Sequence, residues 1–279
     1  MNGKPKIALQ LYSLHKYTDS VGLARTLADA AKIGYRGVEF AGYRGHAAAE
    51  IRTMLDDNGL AACGTHVGRD ALAGDELARS CEFCRECGFD LLVCPGGGNL
   101  PGDDWTGSFD DWMKFVTDFY AKAAERAAAF GCRVGLHNHA WEFERTLSDG
   151  TTYWDYFFAN TPANVCMEQD VGWTTHAGHD PCEQFAKYPG RSPTLHAKEN
   201  GTDEPGFDAI LGRPAPGKPG VDWGKLIPVA EQDGVEWFVV ECERHFDSRD
   251  AVAPSFAFLS AAMAARATAP AGRRHGETP

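Results

Sequence analysis

The chain reads as a single (β/α)8 TIM barrel, a closed parallel sheet wrapped by helices, on three observations. Short apolar runs alternate with stretches of helical spacing eight times over. Glycine repeatedly follows the last helical residue, the usual left-handed stop. The polar and ionisable residues that stand out as candidate functional groups fall at or near the ends of the apolar runs and none at a start, which is how a parallel barrel carries its functional groups. An open doubly wound sheet competes less well, because no switch point interrupts the alternation.

Taken in order, Lys6 to Leu14 is expected as the first strand, with polar Gln10 and Tyr12 near its end, and Val21 to Ile33 as the first helix, closed by Gly34. The pattern recurs with strand Gly37 to Ala41, helix Ala47 to Asn58, strand Ala61 to His66 and helix Gly74 to Cys87. Strand Asp90 to Cys94 runs into Gly96-Gly97-Gly98, and a long helix covers Phe109 to Phe130. The fifth strand begins at Cys132. A short helix (Tyr153 to Phe158), strand Val165 to Asp170, helix Pro181 to Tyr188 and strand Pro193 to Lys198 follow. A loop rich in proline and glycine, Asn200 to Gly220, leads to helix Trp223 to Gln232, strand Glu236 to Glu241 and helix Ala251 to Ala267. Residues 1–267 thus form the barrel domain, and the tail Thr268 to Pro279 reads as disordered.

Composition narrows the function. A formal charge of −12 argues against nucleic acid or an anionic membrane as partner, since those surfaces require basic patches. A small neutral molecule fits better. No apolar run is long enough for a signal peptide or a membrane span, so a cytoplasmic location is expected. Nine scattered cysteines suit reduced thiols. Cys81, Cys84 and Cys87 mimic an iron-sulfur spacing but fall on one helix face without a nearby fourth cysteine, and Gly96 to Gly98 lacks the lysine of a phosphate loop.

The densest chemistry lies in Leu136 to Glu144, Leu-His-Asn-His-Ala-Trp-Glu-Phe-Glu, where two imidazoles and two carboxylates crowd the end of the fifth strand. Gln10, Glu39, His66, Asp170, His196, Lys198 and Glu241 end other strands. Ionisable groups in apolar strands incur a desolvation cost unless they are paired or bind an ion, so their convergence implies a site. Mixed nitrogen and oxygen donors suit manganese, magnesium, cobalt or zinc.

These residues resemble the xylose-isomerase-like barrel superfamily of sugar-phosphate isomerases and epimerases. The likeness rests on Gln10-Leu11-Tyr12-Ser13-Leu14, His137-Asn138-His139-Ala140-Trp141-Glu142-Phe143, Asp170-Val171-Gly172-Trp173, Ala177-Gly178-His179-Asp180-Pro181, His196-Ala197-Lys198-Glu199 and Val221-Asp222-Trp223. It implies one divalent metal, with Mn2+ the leading expectation and Mg2+, Co2+ or Zn2+ as substitutes, held by Glu142, Asp170, His196 and Glu241. In the epimerase pattern the first glutamate lies within the fifth strand. Here His137 and His139 stand there, so Glu142 must reach back from the loop, with His139 as the rival ligand or base.

The resemblance implies proton abstraction next to a carbonyl, through an enediolate, in sugar isomerisation or epimerisation. His139, Glu142, Glu241 and Lys198 are the expected catalytic groups, and His66, His137, Glu39, Gln10, Trp141 and Trp173 the expected substrate contacts. The His-Asn-His variant also resembles a branch acting on keto-glycosides, where the same enolisation leads to β-elimination. A nuclease acting at abasic sites and a non-catalytic sugar-binding barrel are the distant alternatives. The loop Asn200 to Gly220 is a candidate for closing over the site or meeting a second subunit, of the same or another kind.

Overall fold

The protein is described here from a computed structural model, which covers residues 5–102, 105–200, 210–243 and 248–267. The expected tail from 268 onward, and the middle of the loop after residue 200, lie outside the described residues.

Eight parallel strands close into a barrel in sequence order. They are β1 (Lys6–Gln10), β2 (Gly37–Ala41), β3 (Ala61–His66), β4 (Leu91–Pro95), β5 (Arg133–His137), β6 (Val165–Asp170), β7 (Thr194–Ala197) and β8 (Trp237–Val240). The helices are α1 (His15–Val21), α2 (Leu23–Ile33), α3 (Ala48–Asn58), α4 (Gly74–Cys87), α5 (Phe109–Ala129), α6 (Trp141–Glu144), α7 (Tyr153–Asn160), α8 (Val171–His176), α9 (Pro181–Lys187), α10 (Trp223–Asp233) and α11 (Arg249–Ala267). No helix among the described residues is long and apolar enough to cross a membrane.

Several expected boundaries are corrected. The first strand stops at Gln10 instead of reaching Leu14, because the Gln10 side chain accepts from the Tyr12 amide at 3.1 Å and folds Leu11–Leu14 into a 3-10 turn. The first expected helix is found as α2, starting at Leu23 instead of Val21, and the separate helix α1 before it, which ends where Gly22 takes φ 85°, was not expected. Helix α8 was not foreseen from the sequence, and Glu142 sits on the one-turn helix α6 and not in a loop. By contrast Cys81, Cys84 and Cys87 face the core as expected, and all nine cysteines are free and buried.

The main core lies between sheet and helices. It joins strand residues such as Leu9, Val38, Leu92, Leu136 and Leu195 to helix residues such as Leu27, Ile51, Met113, Phe157 and Ile227. Smaller apolar groups fill the inside of the barrel. Ala8, Cys63, Trp237 and Val239 pack together there, as do Leu91, Val93 and Cys166. Each of these plugs lies one pleat below a polar layer, since Gln10, Glu168 and Glu241 follow Ala8, Cys166 and Val239 by two residues on the same face.

Two devices position the upper rim. Gly172 lets α8 pack directly onto the chain leaving β7, since a Cβ there would come within 2.9 Å of the Lys198 carbonyl carbon and oxygen. The buried Glu199 carboxylate gathers the chain after β7. One oxygen accepts from the Asn200 and Val221 amides at 3.1 and 2.9 Å, the other from the Gly212 amide and the Trp223 indole at 2.9 and 3.1 Å.

Gly172→Ala is expected to push α8 off the backbone of β7 and cost about 1–3 kcal/mol, the usual cost of overpacking. A urea titration against the parent chain measures it, and an unchanged midpoint would show that the contact has slack.

Candidate metal centre

Strand register alone brings the polar residues together. Gln10 pairs with Glu39, His137 with Glu168, and Asp170 with His196 across neighbouring strands. All six are at most 1% exposed. They form two tiers at the carboxyl ends of the strands.

The lower tier is Gln10, Glu39, His66 and Glu168. Gln10 Nε2 donates to Glu39 Oε2 at 2.6 Å, and Thr194 donates to Glu168 Oε2 at 2.6 Å. His66 Nε2 lies 2.8 Å from Glu168 Oε1 and 3.3 Å from Glu39 Oε2. Burial and the neighbouring Glu168 push the Glu39 carboxyl up to about 7. Burial also acts on Glu168, but His196, His137 and His66 outweigh it and hold that carboxyl well below the ordinary range.

His196 links the tiers. Its Nε2 is 2.7 Å from Glu39 Oε2 below, and its Nδ1 is 3.1 Å from Glu241 Oε2 above. Its ring lies parallel to that of His66, with centroids 5.1 Å apart and planes at 7°.

The upper tier is Asp170, Glu241, His137 and Lys198. Asp170 splits its carboxylate: Oδ1 accepts from the Trp173 amide at 2.8 Å and caps α8, while Oδ2 faces Lys198 Nζ at 3.2 Å. Lys198, 1% exposed, also reaches Glu241 Oε2 at 2.7 Å and Glu243 Oε2 at 2.8 Å. Burial raises the Asp170 carboxyl to about 6, although Lys198 and His196 oppose it. Burial acts on Glu241 as well, but Lys198 and His196 keep its carboxyl well below the usual range.

Donor atoms from His137, Asp170, His196 and Glu241 all lie within 4.8 Å of one another. His66, His137, Glu168 and His196 form a second, overlapping group of the same kind. His137 Nδ1 is buried without a hydrogen-bond partner, and burial together with His196 depresses its imidazole well below its ordinary value. The upper group therefore offers two imidazoles and two carboxylates, a donor set that fits a first-row divalent cation.

Among the residues expected from the sequence, Asp170, His196 and Glu241 come together, with His137 beside them. Glu142 stands apart from both groups. It is fully buried, its Oε2 accepts from the His139 amide at 2.8 Å, and its Oε1 has no partner. Burial pushes its carboxyl up to about 8. A Cβ on Gly96 would collide with Oε1, so that glycine makes the room the carboxylate occupies. His139 lies at the pocket edge, and burial and Lys198 lower it to about 4. Trp141 packs edge-on against Tyr153 at 5.0 Å, and Trp173 lies beneath Lys198 with its centroid 5.4 Å from Nζ. Gln10 and Glu39 are fully buried against each other.

Sequence reasoning passed over Glu168, which shares the inward face of Asp170 two residues before it. It also gave no role to Asn138. That side chain bolts β5 to β6: Oδ1 accepts from the Asp170 amide at 2.9 Å, and Nδ2 donates to the Asp170 carbonyl at 3.3 Å. The His-Asn-His order thus sets two imidazoles around a clamp on the neighbouring strand.

Above the two tiers opens a pocket of about 470 Å³. It is lined by His66, His137, His139, Glu241 and Glu243 together with Tyr12, Ala41, Val67, Gly68, Cys94 and Pro95. No lysine or arginine among the described residues lines it.

Residues 27–262 match the family model described as xylose isomerase-like TIM barrel. Among solved structures, a sugar phosphate isomerase/epimerase from Parabacteroides distasonis ATCC 8503 is 26% identical with a TM-score of 0.73, covering 93% of this chain and 94% of its own. A 3-keto-D-glucoside 4-epimerase from E. coli is 17% identical with a TM-score of 0.64, covering 92% of this chain and 100% of its own. The IOLI protein, solved with a bound zinc atom, is 14% identical with a TM-score of 0.66, covering 93% and 98%. No curated protein matches. At these lower identities the last two likenesses concern the fold.

Asn138→Ala would leave the buried Asp170 amide without its acceptor, at about 1–3 kcal/mol. The expected loss is read from the urea midpoint, and a cost near zero would mean that Asp170 is held by α8 alone.

Proposed function

The chain belongs to the xylose isomerase-like TIM-barrel family, and from that premise we propose that it is a divalent-metal-dependent isomerase or epimerase of unphosphorylated sugars or keto-sugars. The observation that carries this is the upper group, in which donor atoms of Asp170, His196 and Glu241 converge with those of His137, and of which His137 and Glu241 line the pocket. Asp170, His196 and Glu241 are three of the ligands in this reading. His137 takes the fourth place on geometry, while the buried, unpartnered Glu142 Oε1 favours Glu142 as its rival.

A bound divalent ion supplies Lewis-acid polarisation of the substrate carbonyl. The protein's own groups do the rest. Glu241 and His139 both line the pocket and are the groups placed to take the proton from the carbon next to the carbonyl. Its electron pair then makes an enediolate, and the proton returns to the opposite face of that carbon or to its neighbour. Lys198 holds Asp170 and Glu241 in place as their counter-ion. Glu39, below, fixes the ring of His196 so that Nδ1 faces the upper tier, the arrangement of a carboxylate that orients a metal-binding imidazole.

The second reading, cleavage of a keto-glycoside, is favoured by the uncharged groups in the pocket lining, Tyr12, Ala41, Val67 and Pro95. There the enediolate would expel the β-oxygen substituent, which leaves with the bond's electron pair and takes up a proton. Manganese is the expected metal in either case.

Proton NMR in heavy water, on manganese-loaded chain with a panel of keto-sugars and keto-glycosides, tests both readings. Deuterium entering next to the carbonyl with the skeleton intact is expected, and Glu241→Gln should lower that exchange by at least about 100-fold, as for loss of a general base. Exchange accompanied by a released aglycone would move the assignment to cleavage. No exchange with any compound would overturn both.

Metal titration calorimetry separates the ligand sets. His137→Asn should weaken manganese binding more than Glu142→Gln does, and the reverse order would give the fourth place to Glu142. Glu39→Gln should weaken binding by about 10–100-fold without changing the stoichiometry; unchanged affinity would remove Glu39 from the orienting role.

A further inference from the structure

The imidazoles and carboxylates of the pocket lining come from the ends of β3 (His66), β5 (His137, His139) and β8 (Glu241, Glu243), whereas β1, β2 and β4 contribute the uncharged Tyr12, Ala41, Cys94 and Pro95. Among these uncharged groups Tyr12 stands out. It is 46% exposed, while its neighbours Leu11, Ser13 and Leu14 in the same turn are buried. It also takes no part in the hydrophobic core.

The ring is nevertheless held. It stacks on His15 with centroids 4.7 Å apart and planes at 15°. His15 Nδ1 lies 2.7 Å from the Tyr12 carbonyl, and the Tyr12 amide donates to Gln10 Oε1 at 3.1 Å. An aromatic ring already held by stacking loses little conformational entropy when a flat apolar group lies on it, and such stacking is favourable beyond the area buried. Phosphate fits poorly here. The buried lysine of the site, Lys198, is already engaged by Asp170, Glu241 and Glu243.

We propose that Tyr12, with Ala41 and Val67, forms an apolar subsite that holds the aromatic or other apolar substituent of a neutral glycoside, whose sugar ring meets the histidines and carboxylates of the same pocket. Among the keto-sugars and keto-glycosides of the proposed function, the subsite favours uncharged glycosides that carry an apolar substituent. The inference rests on the reading of this pocket as the substrate site, but not on which bond the enzyme makes or breaks.

The test is calorimetric binding to the full, manganese-loaded chain of phenyl and methyl glycosides, in matched pairs of the gluco, galacto and manno configurations. At least one phenyl glycoside is expected to bind about tenfold more tightly than its methyl partner. Tyr12→Ala should abolish that preference and Tyr12→Phe should keep it, both with unchanged manganese stoichiometry. Equal affinity within every pair, a preference that survives Tyr12→Ala, or no binding of any glycoside would each overturn the subsite. Deuterium exchange on free keto-sugars without a phenyl preference would sink this inference alone. A phenyl preference without exchange on any substrate would sink the isomerase reading alone.

Discussion

The constraint on which the barrel mouth depends is charge balance in a place water does not reach. Glu39, Glu168, Asp170 and Glu241 are at most 3% exposed, and isolated carboxylates there would cost several kcal/mol each. His196 spans the two tiers, and Lys198 neutralises the upper carboxylates from the side. The strand register follows from this. A one-residue slip of β6 or β7 would turn Glu168 or His196 outward into the apolar layer beneath the helices.

The same balance separates scaffold from chemistry. Several of these oxygens are spent on fixed partners: Asp170 Oδ1 on the cap of α8, Glu168 Oε2 on the Thr194 hydroxyl, and both oxygens of Glu199 on the segment after β7. Within the charged cluster, Asp170 Oδ2 and His137 Nδ1 are left without a hydrogen bond, Oδ2 facing the Lys198 ammonium. A carboxylate divided in this way is positioned by one oxygen and remains available through the other.

Much of this was legible in the sequence because it depends on period-two alternation and on glycine stops. Eight strand-helix units and the strand-end position of Asp170, His196 and Glu241 follow from that pattern and are found in the closed barrel. What the pattern could not give was depth. Gln10 ends β1 and Glu39 sits at the middle of β2, and both lie beneath His196, because depth is set by barrel stagger across eight strands and not by any one of them. Asn138 acts sideways, on the backbone of a strand 32 residues later, which no local spacing encodes. Helix α8 was missed because it is a single capped stretch of six residues, too short for a hydrophobic period to declare itself.

The Glu199 carboxylate has an implication for how this barrel can change. Because the chain leaves β7 through the Asn200 amide and returns through the amides of Gly212 and Val221 to the same two oxygens, the insertion between them is anchored at its root. A change at Glu199 would therefore release the described ends of this loop, at Asn200, Gly212 and Val221, together and not one at a time.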